Sequence, residues 1–455
     1  MKNLTLNNIA KACGGILHNG EDIKYEEVSD VVIDSRKVSK GCLFIPIKGA
    51  RVDGHDFIPE VFKSGALCVL SEHRFETSMP YIHVTSTLMA LRDIAAYYRQ
   101  CLNVKVIGIT GSVGKTSTKE MIASVLGQKY SVLKTEGNFN NEIGLPLTLF
   151  RLNESHQVAV LEMGISHFGD MKVLAAIARP DICVITNIGL CHLENLIDRD
   201  GVLKAKTEMF DFLPADGKIV LNGDDDKLFS IKQYKDIKPS FYGTDDSFMV
   251  SGNNIAPLGL KGTFFTMKFK DGETVDIYIH VPGNHMVYNA MAAASVGRIM
   301  GMSYDDIKRG IDNIKTVKGR NHVIETGKFT IIDDCYNANP VSTKAALDVL
   351  SYGTGRKVAV LGDMFELGEN ETSMHSEIGE YAASKKIDFL ICIGSLSRNT
   401  YDSALDSGIK KAAYFETKEE FLDSASKLLN RGDNILVKAS HGMEFTQIVT
   451  FIKDM

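Results

Sequence analysis

Residues 105–126 pass from a short apolar run, KVIGIT, through a glycine-punctuated turn into a helical pattern, and few folds accept that succession. The turn reads Gly108-Ile109-Thr110-Gly111-Ser112-Val113-Gly114-Lys115-Thr116. Glycines let backbone N–H groups turn inward around phosphate oxygens, and the start of a helix adds positive potential there. A lysine at 115 can reach β and γ phosphates, and the Thr116 hydroxyl suits a Mg²⁺ shell. The strict spacing G-x-x-x-x-G-K-[ST] asks for Gly at 109, where this chain has Ile. The bland alternative is a glycine-rich strand–helix turn with no ligand.

The same alternation continues along the chain. Apolar runs recur at QVAVLEM (157–163), DICVITN (181–187) and KIVLN (218–222), separated by helical segments. This pattern predicts a mostly parallel sheet with helices on both faces. From about 239 to 281 the chain is strand-rich, with Asp-Gly at 271–272 between two alternating runs, which predicts antiparallel strands extending that sheet. A small-residue helix is expected at 289–301. The pattern restarts near 315–320, with strands at 329–334, 357–363, 388–394 and 434–440. Before residue 102, short strands at 31–34, 42–47, 67–70 and 81–84 mix with helices, and no phosphate loop occurs.

A chain of 455 residues suggests about three domains at roughly 150 residues each. Hydrophobic residues at 44% and charged residues at 24% exclude a largely disordered chain. A net charge of −6 disfavours a dedicated nucleic-acid binder. No apolar run approaches the roughly 18 residues that span a bilayer, so no membrane insertion is expected. The N-terminus lacks a signal-peptide core, and a cytoplasmic protein is expected. The eight cysteines are scattered without a C-x-x-C pair, which favours free thiols. The acidic run Asp224–Asp225–Asp226 reads as a solvated turn.

Ligands in open parallel sheets bind beyond the carboxyl ends of strands. Thr110–Thr116, Glu162 and His192 all fall just past such ends, so one crevice can hold all three. A carboxylate and an imidazole beside a phosphate loop suit Mg²⁺ held between protein and nucleotide. Taken singly, Glu162 also reads as a loop cap and His192 as a surface histidine. The Asn138–Asn141 tract precedes a helix, where asparagines ordinarily cap; an amide set gripping a phosphate or carboxylate is the alternative. Lys204 and Lys206 share a helix, and composition alone leaves Lys206 solvated.

Several of these segments together resemble the Mur ligase family, ATP-dependent amide-forming enzymes of peptidoglycan assembly. TGSVGKTST at 110–118 is similar to the family's phosphate loop, with its departure from the strict spacing. GNFNNEIGLP (137–146), TNIGLCHLE (186–194), AKTEMF (205–210) and GNHMVYNAMAA (283–293) resemble further family segments. DDCYNANP (333–340) and LGDMFELG (361–368), with His375 following, resemble the branch that joins D-alanyl-D-alanine to UDP-N-acetylmuramoyl-tripeptide. IDSRKVSKGCLFIPIKGARVDGHDFI (33–58) resembles its substrate domain. VKASHGMEF (437–445) departs from the family's usual K-G-S-R, with Ala439 and His441 in place of Gly and Arg.

The resemblance implies an α/β fold of three domains. These are an N-terminal UDP-substrate-binding domain (1–102), a central P-loop ATPase domain (103–315) and a C-terminal Rossmann-like domain (316–455). It implies ATP as the nucleotide, held by Thr110, Gly111, Ser112, Val113, Gly114, Lys115 and Thr116. His285 and Asn289 would lie near adenine, with Arg320 and Asp334 over the γ-phosphate and ribose. Thr116 and Glu162 would hold one Mg²⁺. His192 would help hold a second, with Lys206 carbamylated so that it becomes an anion. Lys115, Glu162, His192 and Lys206 form the implied catalytic set. Ser35, Arg36, Asn138 and Asn141 would contact substrate, and a monomer is expected.

Overall fold

The computed structural model describes residues 1–455. It is an α/β chain with three sheets of five, nine and six strands. The strand Lys105–Thr110 lies inside the nine-stranded sheet, flanked by Val158–Glu162 on one side and Ile182–Ile185 on the other, all parallel. Successive strands therefore leave Lys105–Thr110 in opposite directions, and a crevice opens at its carboxyl end. The helix Lys115–Leu126 starts directly beyond that end. Five strands of the C-terminal sheet run parallel, and His322–Glu325 is antiparallel at its edge.

The strands with strong apolar patterning form where expected, including Lys105–Thr110, Lys218–Asn222 and the hairpin Thr263–Phe269/Thr274–Ile279 around Asp271-Gly272. The 239–281 region is not wholly antiparallel. Ser240–Gly243 runs parallel to Lys218–Asn222, and Val250–Pro257 joins it in parallel before the antiparallel hairpins begin. The short helix Asp226–Phe229 lies in the crossover that makes the first of these parallel pairings possible. Four short strands escape pattern reading: Ile16–His18, Val132–Lys134, His322–Glu325 and Ala412–Phe415. Each is only three or four residues long and partly exposed, too short to show a readable period. The run at 42–47 yields only Leu43–Phe44 as strand. The helix expected at 289–301 begins earlier, at His285.

The N-terminal and central sheets have separate hydrogen-bond ladders but share apolar packing. One cluster of 46 buried residues runs from Leu4 through Ile94 and Tyr98 to Leu161, Phe210 and Leu228. The helix Thr87–Gln100 supplies the bridge, and the buried Tyr98 hydroxyl donates to Leu152 O at 2.7 Å. Two clusters of 18 residues each form the C-terminal core, divided between the faces of its sheet.

Gly111 is the tightest point of the phosphate-loop turn. Its φ is +153°, and a Cβ there would lie 1.9 Å from Thr186 Oγ1, with Thr186 Cβ and N at 3.1 and 3.2 Å. Gly111→Ala is expected to lose at least about 1–3 kcal/mol, through overpacking against a neighbouring strand end. Denaturant melts of the two proteins check this.

Candidate active site

The phosphate loop is stitched to the segment that follows strand Ile182–Ile185. Ser112 N donates to Asn187 O at 3.0 Å, and Val113 N donates to Asn187 Oδ1 at 3.0 Å. The Thr186 hydroxyl donates to Val113 O at 2.6 Å, and Gly189 N donates to Ser112 Oγ at 2.8 Å. Gly114 takes φ +81° immediately before the helix, a backbone state that glycine adopts without strain. Lys115 Nζ donates to Gly111 O at 2.9 Å. Burial lowers the Lys115 pKa, while the Glu162 carboxylate pulls it the other way.

Glu162 ends its strand 2% exposed. Its Oε1 accepts from Asn140 Nδ2 at 2.9 Å, and its Oε2 is buried without a partner. The Thr110 hydroxyl is likewise buried and unpartnered. An unpaired buried carboxylate oxygen is costly unless a ligand completes it. No group of three or more His, Cys, Asp and Glu side chains is arranged to hold a metal. The donors here are one carboxylate and hydroxyls, which fit Mg²⁺, an ion that keeps waters and shares phosphate oxygens.

His192 takes a left-handed backbone, φ +51°, and its Nδ1 lies 2.8 Å from Glu366 Oε2, in the loop after the strand Lys357–Gly362. Burial lowers its pKa; Glu366 opposes this, and Lys115 and Lys206 reinforce it. Lys206 is not solvated: it is 1% exposed, and burial brings its pKa down to about 8. The nearby Cys191 thiol opposes that shift and Lys115 adds to it.

The opposite wall comes from the helix His285–Ile299 and the C-terminal domain. Asn289 is buried and accepts from Thr118 Oγ1 at 2.9 Å. His285 Nε2 lies 3.0 Å from Asn321 Nδ2, and burial lowers the His285 pKa. Arg320 reaches across to Thr116, Nη2 to Oγ1 at 3.4 Å. Asp334 is engaged on both oxygens: Oδ1 accepts from Asn321 N at 3.1 Å, and Oδ2 meets the buried Lys438 ammonium at 2.5 Å.

These walls enclose a cavity of 860 Å³ lined by Ser112–Thr116, Glu162, His192, His285, Asn289, Arg320 and Asp334. Asn141 also lines it, but Asn138 is exposed elsewhere; Asn141 caps the following helix through Ile143 N and Gly144 N. Lys206 sits behind the lining. Ser35 and Arg36 do not reach this cavity and form a 3₁₀ turn in the N-terminal domain, where Arg36 pairs with Asp34 at 2.8 Å. Asp224 and Asp225 line the cavity, so that run is more than a solvated turn: Asp224 accepts from Tyr288 at 2.9 Å, and Asp225 accepts from Ile188 N at 2.7 Å. Asn140, Asn187, Tyr336, Glu366 and Lys438 escaped sequence reading. Each nonetheless lies inside a segment that the sequence sets apart: the asparagine tract for Asn140, TNIGLCHLE for Asn187, DDCYNANP for Tyr336, LGDMFELG for Glu366 and VKASHGMEF for Lys438.

The loop carrying Glu366 is held by a neutral histidine. Buried His375 donates from Nδ1 to Glu371 O at 2.7 Å, and its Nε2 accepts from Met364 N at 2.9 Å. Burial lowers its pKa below the ordinary value near 6.5. Its stabilisation is complete above about pH 6.5 and is lost as pH falls through the folded-state pKa, because the unfolded chain binds the proton first. Melting temperature should therefore drop between about pH 7.5 and about pH 5.5, and the drop should be smaller in His375→Gln. His285, also depressed, keeps its share in that variant.

Family models cover most of the chain. Residues 27–109 match the Mur ligase family catalytic domain, 109–297 the Mur ligase middle domain, and 319–441 the Mur ligase glutamate ligase domain. The UDP-N-acetylmuramoyl-tripeptide–D-alanyl-D-alanine ligase of Bacillus subtilis is 39% identical, covering 98% of this chain and 97% of the relative. The enzyme of the same name from Escherichia coli is 33% identical, over 100% and 99%. Among solved structures, MurF from Acinetobacter baumannii superposes with TM-score 0.91 at 30% identity, over 99% of both chains. MurF from Thermotoga maritima in complex with ADP gives 0.84 at 28%, over 93% of this chain and 97% of that one. The chain thus belongs to the Mur ligase family.

Proposed function

We propose that this chain is the ATP-dependent ligase that joins D-alanyl-D-alanine to the terminal carboxylate of UDP-N-acetylmuramoyl-tripeptide. The products are the pentapeptide precursor of peptidoglycan, ADP and phosphate, and the setting is the cytoplasm. The observation that carries the reading is the buried, unpartnered Glu162 oxygen beside a lysine-bearing phosphate loop. Full-length similarity to enzymes of that name supports the choice of substrates. No helix is long and apolar enough to cross a membrane.

A carboxylate is a poor electrophile, so its oxygen first attacks the γ-phosphorus of ATP, and ADP leaves. The acceptor amine then attacks the acyl carbon of the acyl phosphate. The tetrahedral intermediate expels phosphate, and the amine gives up its proton. Two anions must meet in the first step. Lys115 and Arg320 lower that repulsion, and the incoming triphosphate restores the charge that burial disfavours on Lys115. The cavity between domains excludes water that would hydrolyse the acyl phosphate. Thr116 and Glu162 would hold one Mg²⁺, and His192, through its free Nε2, a second; the ions would supply further positive charge against the phosphates.

Lys206 would enter as the carbamate. Free amine is the form that reacts with CO₂, and a pKa of about 8 leaves roughly a tenth of the lysine neutral at pH 7, far more than an ordinary lysine. Carbamylation replaces a buried cation near Lys115 with an anion, which removes like-charge repulsion and supplies a metal donor. Ser35, Arg36 and Asn141 would contact the nucleotide-linked substrate.

ADP release with each nucleotide-linked peptide and each acceptor tests the reaction. Turnover should require the dipeptide, and strong turnover with a single amino acid in its place would reverse the choice. Lys115→Ala and Lys206→Ala should each lose at least about a hundredfold in kcat with the fold intact. Activity within about threefold of wild type would remove that residue from the mechanism. Short-chain carboxylic acids should partly restore Lys206→Ala, as stand-ins for the carbamate.

A further inference from the structure

The turn Val317–Asn321, which carries Arg320, is gripped at three backbone points by the segment Asp333–Tyr336. Gly319 N donates to Asp333 Oδ2 at 2.9 Å, Asn321 N donates to Asp334 Oδ1 at 3.1 Å, and Tyr336 N donates to Gly319 O at 3.2 Å. Gly319 has φ +77°, and a Cβ there would lie 3.2 Å from Tyr336 Cβ, so the absence of a side chain permits this approach. The Arg320 guanidinium then lies 4.0 Å from the centroid of the Tyr336 ring, while Nη2 points at Thr116 of the phosphate loop. On the next strand end, the His441 ring meets the same tyrosine at 5.2 Å with a 39° tilt, and His441 N donates to Asn337 Oδ1 at 3.4 Å.

We propose that Tyr336 is the positioning residue for Arg320, its ring holding the guanidinium against the phosphate loop with His441 packed on that ring. This assigns His441, where the chain departs from the family's usual Arg, a packing role in place of a charge. An arginine side chain has several rotatable bonds, and reaching from one domain to another freezes them. A ring beneath the guanidinium lowers that cost through cation–π attraction while leaving the N–H groups free for phosphate. Asp333 and Asp334 hold the backbone; Tyr336 holds the side chain. The inference rests on the reading of Arg320 as a phosphate-contacting residue.

A double-mutant cycle separates the two. Arg320→Ala should lower kcat by at least about a hundredfold. Tyr336→Leu should lower kcat about tenfold with KM for ATP changed less than about threefold, and Tyr336→Phe should restore most of that loss. In the Arg320→Ala background, Tyr336→Leu should cost less than about twofold more. His441→Ala should lose about threefold, and that loss should vanish beside Arg320→Ala. An Arg320→Ala protein as active as wild type overturns the reading of Arg320. An impaired Arg320→Ala with full activity in Tyr336→Leu, additive losses, or Tyr336→Phe as poor as Tyr336→Leu overturns the positioning role. Should Tyr336→Leu unfold in a melting assay, the His441→Ala and Arg320→Ala cycle decides alone, additivity again overturning the proposal.

Discussion

The close approach of Gly111 to Thr186 is the constraint on which the site depends. It brings the end of the strand Lys105–Thr110 against the start of the segment after Ile182–Ile185, at the point where strand order reverses. Once that contact forms, Asn187 can take the Ser112 and Val113 N–H groups, and the loop is fixed. Glu162 leaves the neighbouring strand at the same level, so phosphate loop and carboxylate are set by one sheet. Everything beyond, including His192 and Lys206, is placed by segments hung from these strand ends.

Four deeply placed lysines divide by what answers their charge. Lys438 meets Asp334, and Lys119 lies 3.0 Å from Glu120 and donates to Thr135 O at 2.6 Å. Lys115 bonds only to backbone carbonyls, and Lys206 is brought to about pKa 8. The first two are structural cations with partners; of the second two, Lys115 lines the cavity and Lys206 sits behind it, neither paired with a carboxylate. A net charge of −6 is therefore no guide to the local field. In the proposed function, attraction for phosphates would come from Lys115, Arg320 and a helix N-terminus.

Much of this architecture was legible in sequence because it rests on local pattern. An apolar run followed by Gly111, Gly114 and Lys115 dictates strand, turn and helix together. Glu162 and His192 were legible through topology, since both follow runs that had to be parallel strands. Lys206 was not, because helical periodicity reports which residues share a face and not whether a lysine is buried by the segments packed against its helix. Asn140 and Asn141 shared one tract, and nothing in its composition says which amide meets Glu162 and which caps. Arg320, Tyr336 and His441 are a contact among three segments separated by up to about 120 residues, and only folding brings them into one stack. The short edge strands escaped for the opposite reason, being too brief and too exposed to carry a period.

The apolar cluster shared by the first two sheets bears on how the chain is made. Its members begin at Leu4 and end at Leu228, so this shared core cannot be complete until half the polypeptide has been synthesised. A ribosome adding about 5–20 residues each second leaves that core incomplete for roughly ten seconds or longer. The carboxyl-terminal sheet, with its own two apolar layers, has no such debt to distant sequence and can collapse as soon as it emerges. Vulnerability to chaperone capture during translation is therefore concentrated in the first half of the molecule, ahead of the nucleotide site's completion.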